Sequence, residues 1–284
     1  MQYVEETAGS YGVTPDSPTL LHAGPIVDLN DNQEQQAIKY RQIGSRDIYG
    51  MIRTGKLCAF DITFNPINDD LLQYGMNLPG VSSKNVGKSL TFMKSQLVDG
   101  TEKFQVYKGA RVDTVDYSIT NDGAQEVSMG FLCKSISTPA STHGFTGTTT
   151  FGTNPSTFPW TNLTSGSQPL TWNGTNQYTP SFSVSVSNNL QRVKPNGESE
   201  IMWLEPTLRD ISVEFDTYYH DTLVWGEHET LTPRELLYKL SSNRRIKITG
   251  ATLENLSTSD STSSTDPKML SFSGTGTTIA VEAY

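Results

Sequence analysis

The sequence predicts a mainly β protein: an antiparallel β-sandwich or barrel with one flanking α-helix. Two observations predict it. Apolar and polar residues alternate along several segments, and 23 Gly and 14 Pro among 284 residues favour turns. The clearest alternation runs through residues 181–187 and 211–217, where Ser, Asp or Glu recurs at every second position. Because a period of two sorts side chains onto opposite faces, one face of this sheet packs inward and the other carries hydroxyls and carboxylates.

The alternating pattern continues outside that region. Apolar side chains at every second position predict a strand that ends at Asn65-Pro66 and carries on one face Cys58, Phe60, Ile62 and Phe64. A hairpin is predicted where two alternating runs, 115–119 and 127–133, flank Asn121-Asp122-Gly123. Further strands are predicted at 246–248 and in a pair that reaches Tyr284.

Two helices are predicted between these strands. The first is short, with Asn68 as its N-cap and Gly75 as its stop. The second runs from Pro233 to about Asn243, because Thr232 and Glu235 form a capping box around a proline at the first helical position. Each helix follows a predicted strand, an arrangement that would suit a duplicated β-sandwich.

Three regions organise the chain. Residues 1–50 are predicted to form an extended arm punctuated by prolines, and residues 51–284 to form the β domain. Within the domain, 137–180 is rich in Ser, Thr, Gly, Asn and Pro, and is too long for an ordinary loop. We expect it to be an irregular insertion or an extended contact segment, since its isolated aromatic residues argue against full disorder.

The charge balance excludes a protein that grips nucleic acid. Lys and Arg number 21 against 30 Asp and Glu, a formal net charge of −9, whereas phosphate binding needs clustered basic residues. The acidic N-terminus shows no secretory signal, and no apolar run has the length of a membrane span. We therefore expect synthesis in a cytoplasm and no membrane partner.

No catalytic, metal or cofactor site is predicted. The segment Val86-Gly87-Lys88-Ser89 lacks the first glycine of a phosphate-binding loop, and the four histidines are scattered. No nucleophile, base and orienting group form a recognisable set, so an enzyme is the least favoured reading. Cys58 and Cys133 lie in strand-like runs and are expected to be buried free thiols, although a disulfide stays open.

Two stretches resemble a known family. Tyr3-Val4-Glu5-Glu6-Thr7 and Tyr11-Gly12-Val13-Thr14-Pro15 resemble the opening of tail tube proteins of long-tailed bacterial and archaeal viruses. Residues 187–192 and the strand 208–219 resemble the second sheet of that family. The insertion 137–180 departs from the compact family pattern.

The resemblance implies a structural virion protein that self-assembles. Subunits of the family form hexameric rings, the rings stack into a tube, and sheets completed between subunits make a continuous barrel around a DNA channel. The implied partners are further copies of the chain, other tail proteins (tape measure, terminator and baseplate) and, transiently, viral DNA. The implied location is the virion tail, and no cofactor is implied.

Two sets of residues are candidates for these roles. The polar face is predicted to line the channel, where like charge would keep phosphate from binding; an outer surface is the alternative. Its candidate channel-facing residues are Asp113, Asp116, Asp210, Ser212, Glu214 and Asp216. The arm is predicted to reach a neighbouring ring through Tyr3, Val4, Tyr11 and Val13.

Two other functions stay open. One is another virion component, such as a tail terminator, a baseplate ring or a decoration protein. The other is a carbohydrate-binding β-sandwich that would use the aromatic residues of 145–172 and the polar sheet faces.

Overall fold

The computed structural model describes residues 1–41, 48–120, 125–153, 169–195, 200–218, 228–241, 243–259 and 269–284. It confirms a mainly β fold built of antiparallel sheets, and the described strands do not close into a barrel. The turn predicted at 121–123 lies outside the described residues, but the two strands on either side of it pair as expected.

The elements follow one another in chain order. The first group is β1 Gln2–Glu5, β2 Leu21–His22, β3 Ile26–Arg41, β4 Ile48–Phe64, α1 Asp70–Met76, β5 Leu90–Val98, β6 Thr101–Thr120, β7 Glu126–Cys133 and β8 Ser135–Ile136. The second group is β9 Leu170–Trp172, β10 Thr175–Gln177, β11 Ser181–Ser187, β12 Gln191–Val193, β13 Trp203–Glu205, β14 Asp210–Tyr218, β15 Arg234–Lys239, β16 Arg244–Ser259, β17 Met269–Thr275 and β18 Thr278–Ala283.

One large sheet, here called the main sheet, dominates the architecture. Its strand order is β3-β4-β7-β6-β11-β14-β17-β16. Two flanking sheets share strands with it, because β6 and β16 are long enough to run from one layer into the next. The first flanking sheet is β2-β1-β5-β6-β8 and the second is β10-β9-β15-β16, with β18 on the far side of β16.

The core lies between the main sheet and the flanking sheets. Alternation places every second side chain of the main-sheet strands in it, and cross-strand aromatic pairs stack there. Phe60 stacks on Phe131 with ring centroids 4.7 Å apart, and Phe215 stacks on Phe272 at 5.3 Å. These pairs belong to one continuous cluster of buried residues. The predicted face with Cys58, Phe60, Ile62 and Phe64 is fully buried, which confirms that strand.

The main sheet consists of two units with the same topology. In the first unit the strand order is β3-β4-β7-β6, and in the second it is β11-β14-β17-β16. In each unit the last strand also forms a hairpin with the preceding strand in the flanking layer, β5 in the first unit and β15 in the second. The units join where β6 pairs with β11.

Local details repeat between the units. Gly109 in β6 and Gly250 in β16 both have positive φ, 67° and 65°, and each precedes a fully buried alanine where the strand changes layer. Three residues after Gly109, β6 has a bulge between Val112 and Thr114. Three residues after Gly250, β16 has a bulge between Leu253 and Asn255. The resulting correspondence pairs Val112 with Leu253, and it supports the internal duplication that the sequence suggests.

The first predicted helix is confirmed as α1, with small differences at both ends. The N-cap is Asp69, one residue after the predicted Asn68. Asn68 Oδ1 accepts a hydrogen bond from the Asp70 backbone N–H at 3.1 Å. Gly75 lies inside the helix rather than ending it, and Asn77 is the C-cap. A Cβ at Gly75 would lie 2.3 Å from the Val115 side chain, so this glycine allows α1 to pack closely on β6.

The second predicted helix, Pro233 to Asn243, is wrong. Arg234–Lys239 form strand β15, which pairs with β9 on one side and β16 on the other. Leu236, Tyr238 and Leu240 alternate into the core, a period-two pattern inside what the capping signal marked as a helix. Tertiary pairing between two strands overrides the local preference. The structure instead has a helical turn at 228–230.

The arm and the insertion contain more regular structure than expected. Residues 2–5 form β1 at the edge of β5, and residues 26–41 pair with 48–64 in a long hairpin. The last described residues of the insertion form the β9–β10 hairpin, and Trp172 is fully buried there. Near its start, Ala140 pairs with Phe104 and Thr150 with Thr19, so this part of the insertion lies along the first flanking sheet.

Candidate functional site

Most of the outward face of the main sheet is polar, and this part is here called the polar face; at one end of the first unit, Arg111 and Leu132 lie under the segment that follows β11. Cross-strand register sets its rows. One row crosses from Ser128 through Asp116 and Ser185 to Ser212, and the next from Ser118 through Ser183 to Glu214 and Ser273. The acidic residues of the rows, from both units, are Asp28, Asp61, Asp116, Glu126, Asp210, Glu214 and Asp216. Among the described side chains of these rows none is basic.

The structure places five of the six candidate channel residues together in those rows. Asp116, Asp210, Ser212 and Glu214 are exposed, and Asp216 is half-buried. Two carboxylates have neighbours that hold them: Ser181 Oγ donates to Asp216 Oδ2 at 2.5 Å, and Asn189 Nδ2 donates to Asp210 Oδ2 at 2.8 Å. These contacts leave the charges on the surface of the sheet.

Asp113 differs from the other candidates because it occupies the bulge of β6. Its Oδ1 accepts a hydrogen bond from the Leu190 backbone N–H at 2.8 Å, and its carbonyl accepts one from the Asn188 N–H at 2.7 Å. Asp113 therefore anchors the chain that leaves β11. Its counterpart in the second unit is Glu254, also acidic and also at a bulge.

The polar face is concave over the second unit. A depression of about 460 Å³ lies there. Its polar lining is Ser118, Ser181, Ser183, Glu214, Asp216, Asn255, Ser257, Ser271 and Ser273. Short hydroxyl side chains keep this surface shallow and hydrated, and they provide no cation to hold a phosphate.

Asp61 lies on the polar face of β4, at its contact with β7. It lies beside Gly130, where an added Cβ would be 3.0 Å from its carboxyl oxygen. Partial burial raises the pKa of Asp61 above its usual value. Glycine at position 130 therefore leaves room for Asp61 and for Thr114 on the same face.

Two polar side chains hold the two units together, the buried Asn188 and the partly buried Arg209. Asn188 Nδ2 donates to the carbonyls of Gly75 and Val112 at 3.1 and 3.0 Å. Arg209 donates through Nε to Asn188 Oδ1 at 2.9 Å and through Nη1 to the Met76 carbonyl at 2.7 Å. The cation thus caps the C-terminal end of α1, where helix carbonyls lack partners.

The arm candidates lie mainly within their own subunit. Tyr3 is buried in the core, and Val4 packs on a small cluster with Met93 and Val106. Tyr11 donates its hydroxyl to the Gly109 carbonyl at 2.7 Å. Val13 alone of the four predicted arm residues is well exposed, at 51%.

The other predicted features are also placed by the structure. Cys58 and Cys133 are directly opposite on β4 and β7, and both are buried free thiols. The His143 ring packs against Phe145 and Phe151, a cluster on the first flanking sheet. Phe158 and Trp160 lie outside the described residues. Among those described, no helix is long and apolar enough to cross a membrane, and no group of three His, Cys, Asp or Glu could hold a metal ion.

Sequence reasoning suggested a duplication from the order of strands and helices, but it missed the short signal that aligns the two units residue by residue. Gly109-Ala110 precedes Val112-Asp113, and 141 residues later Gly250-Ala251 precedes Leu253-Glu254. Most of the remaining positions between the units differ, so this signal is hard to notice without the matched bulges. It also missed Asn188 and Arg209, whose partners are backbone carbonyls far along the chain.

Comparison with known proteins agrees with this architecture. A family model described as phage tail tube protein matches residues 1–276, nearly the full length of the chain. No curated protein sequence matches it. The match covers both units of the main sheet, and it agrees with the resemblance found at residues 3–15. The chain belongs to the phage tail tube protein family.

Proposed function

We propose that this chain self-assembles into closed rings that stack into the viral tail tube, and that the polar face lines the channel for viral DNA. Family membership supports a structural role in the virion tail, in contact with other copies and other tail components. The finer features come from the resemblance and from the main sheet: the ring, the channel and the passage of DNA. The resemblance implies six subunits in each ring.

The single observation that carries the proposal is the pair of open edges of a large polar-faced sheet. Among the described residues, β3 pairs only with β4, and residues 252–259 of β16 pair only with β17. Unpaired edge strands favour pairing with another chain, and closing a sheet into a barrel removes both edges. A ring of subunits joined edge to edge would satisfy these backbone groups.

The acidity of the polar face supports a channel wall. DNA carries about one negative charge per 1.7 Å of its axis, so a surface of hydroxyls and carboxylates without cations repels it weakly and does not bind it. The concave shape of the face over the second unit suits an inner wall.

Charge reversal on the polar face tests the channel. The double substitution Glu214→Lys and Asp216→Lys should leave tube assembly intact, because Glu214 is exposed and Asp216 is half-buried. It should slow genome passage and make purified tubes retain a labelled DNA duplex at low salt, with retention lost as salt rises. Retention is measured by co-sedimentation, and tubes by negative-stain electron microscopy.

A matched double substitution on other exposed acids, Asp16→Lys and Glu102→Lys, makes the same change in net charge away from the polar face. It should leave DNA retention near the wild-type level. If the Glu214 and Asp216 variant forms no tubes, those residues are structural and the assignment to the channel is wrong.

We extend the proposal to the contact between rings. Only residues 58–64 of β4 pair with β7, so the β3–β4 hairpin continues as a two-stranded ribbon beyond the main sheet. An isolated two-stranded ribbon is marginal in water and needs a partner. Tyr40 and Met51 on the ribbon are 47% and 64% exposed. The ribbon is therefore the part of the predicted arm best suited to reach a neighbouring ring.

Shortening the ribbon tests that contact. Gln36 and Gly55 are opposite each other, so residues 37–54 can be replaced by an Asn-Gly turn without changing register. The variant should form soluble subunits or single rings and no long tubes. Long tubes of normal length would rule out the ribbon as the contact between rings.

The same microscopy separates this function from its alternatives. Long hollow tubes formed by the purified chain support a tail tube protein. Single rings that never stack would favour a terminator or baseplate ring. A stable monomer that binds a glycan array would favour carbohydrate binding.

A further inference from the structure

The junction between the two units shows, within one chain, how the edge of one unit pairs with the edge of another. In the chain, the last strand of the first unit, β6, pairs antiparallel with the first strand of the second unit, β11. Asp116 lies opposite Ser185, and Val115 lies opposite Val186. The open edges of the main sheet are the equivalent strands, β16 at the end of the second unit and β3 at the start of the first.

The duplication assigns each strand of the junction a counterpart. The bulges align β6 with β16, so that Asp116 corresponds to Ser257. Pairing across β7 and β17 then aligns Ile62 with Phe215, and pairing across β4 and β14 aligns β11 with β3, so that Ser185 corresponds to Asn32. Asn32 and Ser257 are both exposed on the open edges.

We propose that β16 of one copy pairs with β3 of the next in the register of the β6–β11 junction, with Ser257 opposite Asn32, and that three copies close each ring. The inference rests on the proposed function, since it names the partner edge and the number of chains in the ring. Six units of four strands still surround the channel, but each chain supplies two of them.

Strand count decides between three chains and other numbers. Each chain brings eight main-sheet strands, so three chains make a barrel of 24. With strands about 4.8 Å apart and tilted by about 40°, such a barrel is about 50 Å across between backbones. Side chains about 5 Å long on each side leave a channel of about 40 Å. A duplex with grooves about 8 Å deep is about 20 Å wide and passes with its hydration water.

Two or six chains do not suit the same cargo. Two chains give a backbone diameter of about 30 Å and a channel of about 20 Å, which leaves no space for water around the duplex. Six chains give a barrel about 100 Å across, far wider than one duplex requires. Three chains are therefore the number that the eight-stranded main sheet favours.

Cysteine cross-linking in assembled tubes tests both the register and the number. Directly opposite residues in an antiparallel pair have Cα atoms about 5 Å apart, within disulfide range. The double variant Asn32→Cys and Ser257→Cys, oxidised with copper phenanthroline and run on a non-reducing gel, should give bands of one, two and three chains. The natural cysteines, Cys58 and Cys133, are buried opposite each other, so a disulfide between them would stay within one chain and add no band.

The chain offers a matched control. The double variant Asp116→Cys and Ser185→Cys places the same pair at the internal junction, so it should cross-link within one chain and migrate as a monomer. Each single variant should give no ladder. Mass per ring measured on wild-type tubes by scanning transmission electron microscopy should equal three chains of 31.3 kDa.

The possible outcomes separate the two proposals. Absence of tubes from the wild-type chain would contradict the proposed function. Tubes whose ladder or mass per ring reaches six chains would overturn the three-chain ring. Tubes of three chains per ring in which the Asn32 and Ser257 pair does not cross-link would overturn the register alone.

Discussion

The two units of the main sheet share a topology and differ in the segment that connects their first two strands. In the first unit this segment is the ribbon of the β3–β4 hairpin, which extends beyond the sheet. In the second unit, the described residues of 188–195 and 200–209 replace it and contact the first unit. There Leu190, Ile201 and Leu204 form a small buried cluster against Tyr11 and Leu132.

The difference suggests that one topology can form two kinds of contact, one within a chain and one between chains. The segment after β11 binds its neighbour permanently, because that neighbour is the same chain. In the proposed assembly, the ribbon after β3 would contact a separate copy, so its contacts would form only when subunits assemble. Lys56 and Gln35 are opposite each other on the ribbon, at the positions that correspond to Arg209 and Asn188 in the second unit.

The largest effect should come from truncating the aromatic stacks of the two units. Phe131→Ala and Phe272→Ala should each lower the free energy of unfolding by about 4 kcal/mol, because each leaves a cavity in a close-packed core. Since one buried cluster spans both units, we expect a single unfolding transition in either variant. Urea unfolding followed by circular dichroism measures both quantities. Two transitions, of which only one shifts, would show that the units fold independently.

The next effect concerns the internal junction. Arg209→Met should lower the free energy of unfolding of the subunit by about 2 kcal/mol, because it leaves Asn188 Oδ1 and the α1 carbonyls without their donor. Arg245→Met is the matched control, since Arg245 pairs with Glu282 at a partly exposed site at 2.6 Å and should change stability by about 0.5 kcal/mol. If both variants lose the same free energy of unfolding, Arg209 does not stabilise the internal junction more than a surface ion pair would.

Lys56, the counterpart of Arg209 on the ribbon, should affect assembly and not the stability of the isolated subunit. Lys56→Met should leave the unfolding free energy of the isolated subunit within about 0.5 kcal/mol of wild type, as expected of a surface change. It should raise the protein concentration needed for assembly, because the corresponding Arg209 holds the internal joint. Sedimentation across a concentration series measures assembly. Normal assembly of Lys56→Met would contradict the equivalence of the two joints.

The smallest effect should come from Asp61, whose carboxyl corresponds to that of Glu214 in the second unit. Burial raises the pKa of Asp61, so the folded state binds this proton more tightly than the unfolded chain. Stability should therefore fall as pH rises from the unfolded value of 3.8 through the raised pKa. Asp61→Asn should reduce this pH-dependent loss in the free energy of unfolding by about 0.5 kcal/mol or less, since solvent screens the group.

Melting temperatures at pH 3, 4, 5 and 7 measure that slope. Asp116→Asn is the control, since it removes the same charge from another exposed position on the same face. An equal change in both variants would assign the effect to the charge of the face and not to the burial of Asp61.

Sequence periodicity predicts the strands because a period of two depends only on neighbouring residues. It identified the buried face of β4, the β6–β7 hairpin and the polar face of β11 and β14. It failed at 233–243, where a genuine local capping signal competes with pairing to β9 and β16. Local signals cannot report distant partners, which decide the structure there.

The candidate site was predictable in part for the same reason. The polar face appears in the sequence because serines and acids alternate with apolar residues. Asp113 also alternates with apolar residues in the sequence. Because it lies at the bulge of β6, its carboxylate instead accepts a hydrogen bond from the Leu190 backbone N–H and anchors the segment after β11. Contact of the arm with a neighbouring ring stays a prediction; within the subunit Tyr3 is buried and Tyr11 donates its hydroxyl to the Gly109 carbonyl, which local sequence could not reveal.

The polar outer edge of β3 has a consequence for the subunits that wait to assemble. An infected cell would hold many copies at once, and a long apolar edge would let them aggregate at random. Asn30, Asp31, Asn32, Gln33 and Glu34 make this edge hydrophilic and exposed, which weakens unplanned pairing between strands. In the proposed tube, such an edge would keep free copies dispersed and would leave growth to the end of an existing tube, where several weak contacts form together.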